Sequence, residues 1–435
     1  MSATPSTHIK YPKAPSIEGA LPLDDLVIRA TRNKLPALND YDLLLAALVL
    51  NHRPSVHQAL AVGAPIVEDA TPSFSSGSSL YIISCQYHSG YGGYGAVGSE
   101  AAGIGYLRDL LPSIAKTPQV WRESALDSML TQASARGSFS MVRELVSMGA
   151  NFLPRHQQSA LTSNVLHAIC RPHVPGRIEF LDTISEQLDI PSALSGRNID
   201  GMTPLLCAVD NFDQDCIHRF LEWGADPLAV SNDGSNMLHY ILNAANSNPG
   251  SLSGFLQRLP DDLHAPLSAM VNRNGYYPIH EAVAVGYNSK TMPWKLLAPG
   301  GNIDIHAVAD CPSPTQNLFP GLSPLGLAFY LGDTTSVVGL LRAGASLEKL
   351  TPQGHSAWHI LADLSLSGHL KDIHAVRFLV KVLDKLNVGS ETVVNGASAY
   401  SLPASDEYRA HLSLKRKQAL ATPSGTTNSS GPPRI

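Results

Sequence analysis

Apolar residues along the chain fall into short runs at helical spacing, separated by polar turns. The longest run is Leu43–Leu50. Met141, Val142, Leu145 and Val146 repeat every three or four residues, as do Val337, Val338, Leu340 and Leu341, which predicts one buried helix face in each. Several such segments end at a Gly-Ala pair: Gly63-Ala64, Gly149-Ala150, Gly224-Ala225 and Gly344-Ala345, with a looser Gly300-Gly301-Asn302. Glycine accepts the left-handed conformation that stops a helix, so each pair predicts a helix end. Leu44, Leu130, Leu205 and Leu325 each stand 19 positions before the terminating glycine. A register kept four times along one chain is a repeated structural unit.

The residues that open the first helix of each unit form the series Leu44, Leu80, Leu130, Leu166, Leu205, Leu238, Ile279, Leu325 and Trp358, with Tyr400 as a further candidate. Leu205 to Leu238 and Leu325 to Trp358 are both intervals of 33. Thr203-Pro204-Leu205 and Ser323-Pro324-Leu325 place a capping hydroxyl, a first-turn proline and a buried leucine in order. Tyr277-Pro278-Ile279-His280, Val165-Leu166-His167, Met237-Leu238-His239 and Ala357-Trp358-His359 are variants of the same opening. Gly137 and Gly332 separate the paired helices; Asn51-His52 and Phe212 take that slot in other units. Asn198–Gly201, Asn232-Asp233-Gly234, Asn272–Gly275 and Thr351–Gly354 predict tight hairpins between units.

Period, opening motif and turns together resemble the ankyrin repeat, whose unit is about 33 residues. The resemblance implies an all-α solenoid of stacked helix-turn-helix units with β-hairpin fingers. About nine units and a C-terminal capping half-repeat would span residues 21–420, with Asn395–Lys417 closing the array. Residues 1–20 and 421–435, rich in Ser, Thr, Pro and Gly, are expected to be disordered. Stacking buries one continuous core and leaves a concave surface of fingers and first helices, which ankyrin proteins use to bind other proteins. The residues expected to carry binding are Arg155, His156, Asn232, Asp233, Arg273, Tyr276, Tyr277, Gln353 and His355, since Arg and Tyr concentrate at interface hot spots.

Composition narrows the function further. A net charge of −5 with 15% charged residues gives no broad attraction to phosphates, so direct nucleic-acid binding is not expected. No apolar run is long enough to span a bilayer, and a soluble, monomeric protein of the cytoplasm or nucleus is expected. Five widely spaced cysteines make no disulfide framework.

Four features invite chemistry, and each has a plainer reading. Gly90–Gly95 is glycine-rich, yet no Lys-Ser or Lys-Thr follows to make a phosphate loop, so a surface loop is expected. His167, Cys170 and His173 have metal-friendly spacing, but His167 sits in the slot that the resemblance gives to a histidine bridging neighbouring units. Cys207 and Cys216 read as core thiols. Lys415-Arg416-Lys417 reads as a solvated helix end, with a nuclear-import signal as the alternative. No catalytic triad, zinc-protease or kinase signature is present. The chain therefore reads as a non-catalytic scaffold with no cofactor and no metal, binding a protein partner.

Two finer resemblances remain. The irregular, low-charge units resemble ankyrin proteins of filamentous fungi, some of which resemble transcription coregulators encoded in secondary-metabolite gene clusters; the partner would then be a transcription factor. Leu21–Ile28 with Asp40–Leu44 faintly resembles an F-box, which would make the chain a ubiquitin-ligase adaptor. A third alternative is an enzyme whose site lies in an insertion, Gly90–Ile104 or Ala309–Pro320.

Overall fold

A computed structural model describes residues 42–61, 63–64, 66, 83, 87, 98–153, 163–170, 176–245, 255–256, 259–285, 294–298, 301–307, 321–348, 350–366, 370–390, 393–394 and 397–421. These fall into two compact units, 1–225 and 226–435. Leu80, residues 20–41, Gly90–Gly95, Arg155, His156, His173 and Cys311–Pro320 lie outside the described residues.

The first unit runs α1 (Asp42–Val49), α2 (Arg53–Ala61), α3 (Glu100–Ile114), α4 (Gln119–Ala135), α5 (Phe139–Ser147), α6 (Val165–Ile169), α7 (Arg177–Ser185), α8 (Ile190–Ser195), α9 (Pro204–Asp210) and α10 (Gln214–Glu222). Helices α1 and α2, α4 and α5, and α9 and α10 form antiparallel pairs of the expected kind. First helices α4, α6 and α9 pack side by side in that order, and second helices α2, α3 and α5 form a parallel layer.

The order of packing corrects two sequence expectations. The long interval between Leu80 and Leu130 holds α3, a second helix seated between α2 and α5. Helix α4 starts at Gln119, so Leu130 lies in its fourth turn and does not open it. Gly103 shows why α3 sits so close: a Cβ there would come within 2.5 Å of the Tyr87 side chain.

The second unit runs α11 (Met237–Ala245), α12 (Asp261–Ser268), α13 (Pro278–Ala284), a 3-10 turn (Trp294–Leu297), α14 (Pro324–Tyr330), α15 (Thr334–Ala343), α16 (Ala357–Leu364), α17 (Leu370–Lys385), a two-residue hairpin β1 (Val393–Val394) and β2 (Ala397–Ser398), and α18 (Asp406–Ala421). First helices α11, α13, α14 and α16 pack in sequence. The second layer is α12, the 3-10 turn, α15 and α17, each against its neighbour. Tyr400, the last candidate in the opening series, lies in a turn after β2, and the closing helix begins at Asp406.

The local rules account for these elements. Thr203 and Ser323 accept the Leu206 and Gly326 N–H groups at 3.3 and 3.1 Å, and Pro204 and Pro324 follow in the first turn. Phe212 takes φ +55° in the slot that Gly332 fills at +65°. The following aspartates, Asp213 and Asp333, cap α10 and α15. At the Gly-Ala ends, Ala64, Ala150, Ala225 and Ala345 N–H groups reach back five residues to carbonyls at about the same distance, as for Ala345 to Leu340 at 3.0 Å. This is the Schellman end expected of the left-handed glycine before each. The looser Gly301 closes the 3-10 turn instead.

Candidate functional site

The surface candidates sit on fingers built by one repeated turn. In three fingers the opening N–H donates to the carbonyl four residues on: Asn198 to Met202, Ser231 to Ser235 and Asn272 to Tyr276, each at 3.0 Å. The Asn272 side-chain oxygen also accepts the Asn274 and Tyr276 N–H groups, at 3.0 and 3.1 Å. The polar residue that opens each finger therefore builds the turn. In the second unit the fingers touch. Arg273 N–H donates to the Asp233 carbonyl at 2.7 Å, and a Cβ at Gly234 would meet the Asn272 backbone at 3.4 Å. Ala307 N–H donates to Leu322 O at 2.9 Å.

Seven of the nine expected binding residues lie among the described residues. Asn232, Asp233, Arg273 and Gln353 are exposed at finger tips. Asp233 turns its carboxylate back into its own finger, where it takes the Ser231 hydroxyl, and the Ser235 hydroxyl at 3.0 Å. Burial opposes its charge, yet these donors hold the carboxyl below its usual range. Tyr276 and Tyr277 are half-buried over the His280 ring, with centroids 5.9 and 5.8 Å away. His355 is half-buried, with Nδ1 2.8 Å from the Thr351 hydroxyl. Arg155 and His156 lie outside the described residues.

Glu281 on α13, close to Asp233 and Asn272 of the fingers, and Asp363 in the last turn of α16 are half-buried, and burial raises both carboxyls; the Asp233 charge adds to the effect at Glu281. The sequence reading missed both, because a single acid on a short apolar helix carries no periodic signal.

The repeated histidines act as ties between successive segments. Nε2 of His167, His239 and His280 donates to the carbonyls of Met202, Tyr276 and Leu322, each at 3.0 Å. Burial drives the pKa of His167 down to about 4 and of His280 to about 3, so both rings are neutral at pH 7. A second tie had no recognised signal: Asn164 and Asn236 cap α6 and α11 and donate their amides to Ala193 O and Leu267 O, both at 2.7 Å. Nε2 of His167 is so engaged and Cys170 Sγ donates to Leu166 O at 2.9 Å, so these two residues serve packing. Burial raises the Cys170 thiol and pushes Cys207 up to about 12, which makes both inert. Among the described residues no cluster of three or more His, Cys, Asp or Glu could hold a metal. Nor, among them, is any helix long and apolar enough to cross a membrane.

Paired helices, left-handed helix ends, histidine ties and turn-built fingers define a class. Residues 200–233 match the ankyrin-repeat family, so the chain carries an ankyrin repeat there. The human ASB11 ankyrin repeat domain is similar at 20% identity, over 57% of this chain and 96% of that one, with a TM-score of 0.39. The ankyrin repeat domain of Bcl-3, a member of the IkappaB family, is similar at 21% identity, over 57% and 97%, with a TM-score of 0.38. The class rests instead on the matched repeat and on the geometry of helix pairs and fingers. No curated protein matches the chain.

Proposed function

We propose that the chain is a non-catalytic scaffold that binds a protein partner through its fingers and the adjoining faces of its first helices. Ankyrin repeats are protein-interaction modules, and that coarser role follows from the class. The observation that supports the finer reading is the row of exposed tips, Asn232, Arg273 and Gln353, on fingers locked by backbone hydrogen bonds. A rigid support lowers the ordering cost of binding, and the half-buried Tyr276 and Tyr277 offer large contact area beside Arg273.

The test is a double substitution, Arg273→Ala with Tyr276→Ala. Partners recovered with the tagged full-length protein are identified by mass spectrometry and compared between wild type and variant. Loss of specific partners, with unchanged circular dichroism, supports the reading. Equal recovery of every partner overturns it. The narrower role, a coregulator acting with a transcription factor, is supported by resemblance to fungal ankyrin proteins alone. Co-purification of a sequence-specific DNA-binding protein that depends on Arg273 is the result that role requires.

A further inference from the structure

Helix α18 carries its own local signals. Ser405 caps it, accepting the Tyr408 N–H at 3.3 Å. Asp406 and Glu407 stand in its first turn and Lys415, Arg416 and Lys417 nearer its end, the arrangement that the helix dipole favours. Its hold on the second unit is of another kind. Between Asp406 and Lys417 only Tyr408 and Leu412 are buried, whereas α17 buries Val376, Leu379, Val380 and Leu383. A cleft of about 510 Å³, lined by Val376 and Val380 on one side and by Tyr408 and His411 on the other, lies between the two helices.

Polar side chains span that gap. Arg377 meets Glu407 at 2.9 Å, and Asp384 takes both His411, at 3.1 Å, and Lys415, at 2.7 Å. The Lys415 ammonium also lies 4.3 Å from the centre of the Trp358 ring, on which His411 stacks at 6.2 Å. The Tyr408 hydroxyl donates to Trp358 O at 2.6 Å. Three residues of α18 therefore cover Trp358, which is fully buried, and Asp384 anchors two of the three. The Asp384 side chain is 38% exposed, and ion pairs so placed hold weakly and lose strength in salt.

The chain enters α18 through Ser401-Leu402-Pro403, none of them buried. Directly before them, the Tyr400 hydroxyl is 2.6 Å from the Ser390 hydroxyl. A short exposed segment between a tied residue and a self-capped helix has the makings of a hinge. We propose that α18 is a hinged lid, latched by Asp384, that comes away as a unit and uncovers the Trp358 face while the rest of the second unit stays folded. With two buried side chains to expose, its opening is a local event that precedes global unfolding. The lid governs access to the α16 face beneath it. No finger residue takes part, so the lid and the finger-binding reading stand or fall separately.

The test is the rate at which Trp358 is oxidised in the full-length protein by a dilute tryptophan-selective oxidant, followed residue by residue by mass spectrometry. Trp294, buried in the same unit beside Gly339 of α15, is the internal control. Raising NaCl from about 0.1 to about 1 M shortens the screening length from about 10 to about 3 Å. That change is expected to speed oxidation of Trp358 several-fold in the wild type. Asp384→Asn, which removes the shared anion, is expected to speed it roughly tenfold at the lower salt. Trp294 is expected to react at an unchanged rate in both cases. A Trp358 rate that neither salt nor Asp384→Asn alters overturns the proposal. So does oxidation of Trp358 and Trp294 in step, since Trp358 is then reached only when the whole unit unfolds.

Discussion

His167 donates its Nε2 proton to the carbonyl of Met202, 3.0 Å away and 35 residues along the chain. The same relation joins His239 to Tyr276 and His280 to Leu322. One ring thereby fastens the start of a first helix to the finger that precedes the next first helix. The bond needs a proton on Nε2 and no charge.

These rings make stability depend on pH. An unperturbed histidine titrates near 6.5, whereas burial drives His167 to about 4 and His280 to about 3 and also lowers His239. Between those values the unfolded chain binds more protons than the folded one, so stability rises with pH across that window. The contribution is complete above about pH 6.5 and is lost as pH falls toward 4 and then 3. Urea midpoints measured from pH 7.5 to 4 are expected to fall steadily below 6.5, and His280→Gln to flatten that fall. A flat wild-type profile contradicts the assignment.

Arg177 is buried against Asp213 at 2.8 Å and reaches Asp215 at 3.2 Å. Removing one partner leaves a buried charge uncompensated, at a cost of about 3–5 kcal/mol. Asp213→Asn keeps a cap on α10 and leaves Arg177 only the exposed Asp215, and is expected to lose part of that amount in urea unfolding. Arg177→Met combined with Asp213→Leu is expected to cost less than the sum of the single changes, because the pair's desolvation is removed with it.

Gly332 and Gly344 separate two causes of glycine dependence. Both have positive φ, +65° and +101°, but a Cβ at 332 would lie 3.2 Å from the Ala375 Cβ while 344 faces open space. Gly344→Ala is expected to cost about 1–2 kcal/mol from backbone strain, and Gly332→Ala more, because α17 must give way. Equal losses in thermal unfolding would count against the contact.

The Tyr408 hydroxyl secures the closing helix by its bond to Trp358 O. Tyr408→Phe removes that bond, a loss of about 0.5–1.5 kcal/mol. Hydrogen exchange should show the effect first in α18 amides, with the α14–α15 pair protected as before. Uniform loss of protection would place α18 in the same cooperative unit as the rest.

The Gly-Ala ends, the Thr-Pro and Ser-Pro openings and the Asn-Gly turns were all legible, because each depends on residues within one turn of one another. Phe212 was recognised in the glycine slot for the same reason, and it does adopt positive φ. Helix α3 was hidden, since its long interval broke the period and its place between α2 and α5 is a matter of packing. Of the surface residues, sequence identified the finger tips by their turns. It did not show that Asp233 folds inward or that Tyr276 and Tyr277 lean on His280, because both depend on groups outside the tip.

By itself, then, the sequence determined the unit: a helix pair, its caps, its terminator and the turn to the next pair. Tertiary structure decided which carbonyl each histidine meets and which charges are buried. Backbone conformation is set by short-range sterics and capping, so neighbouring letters reveal it. Burial and the ties between layers depend on residues 30 to 42 positions apart, as Trp358 with Val388 and His280 with Leu322 show. No local pattern encodes which of them come together.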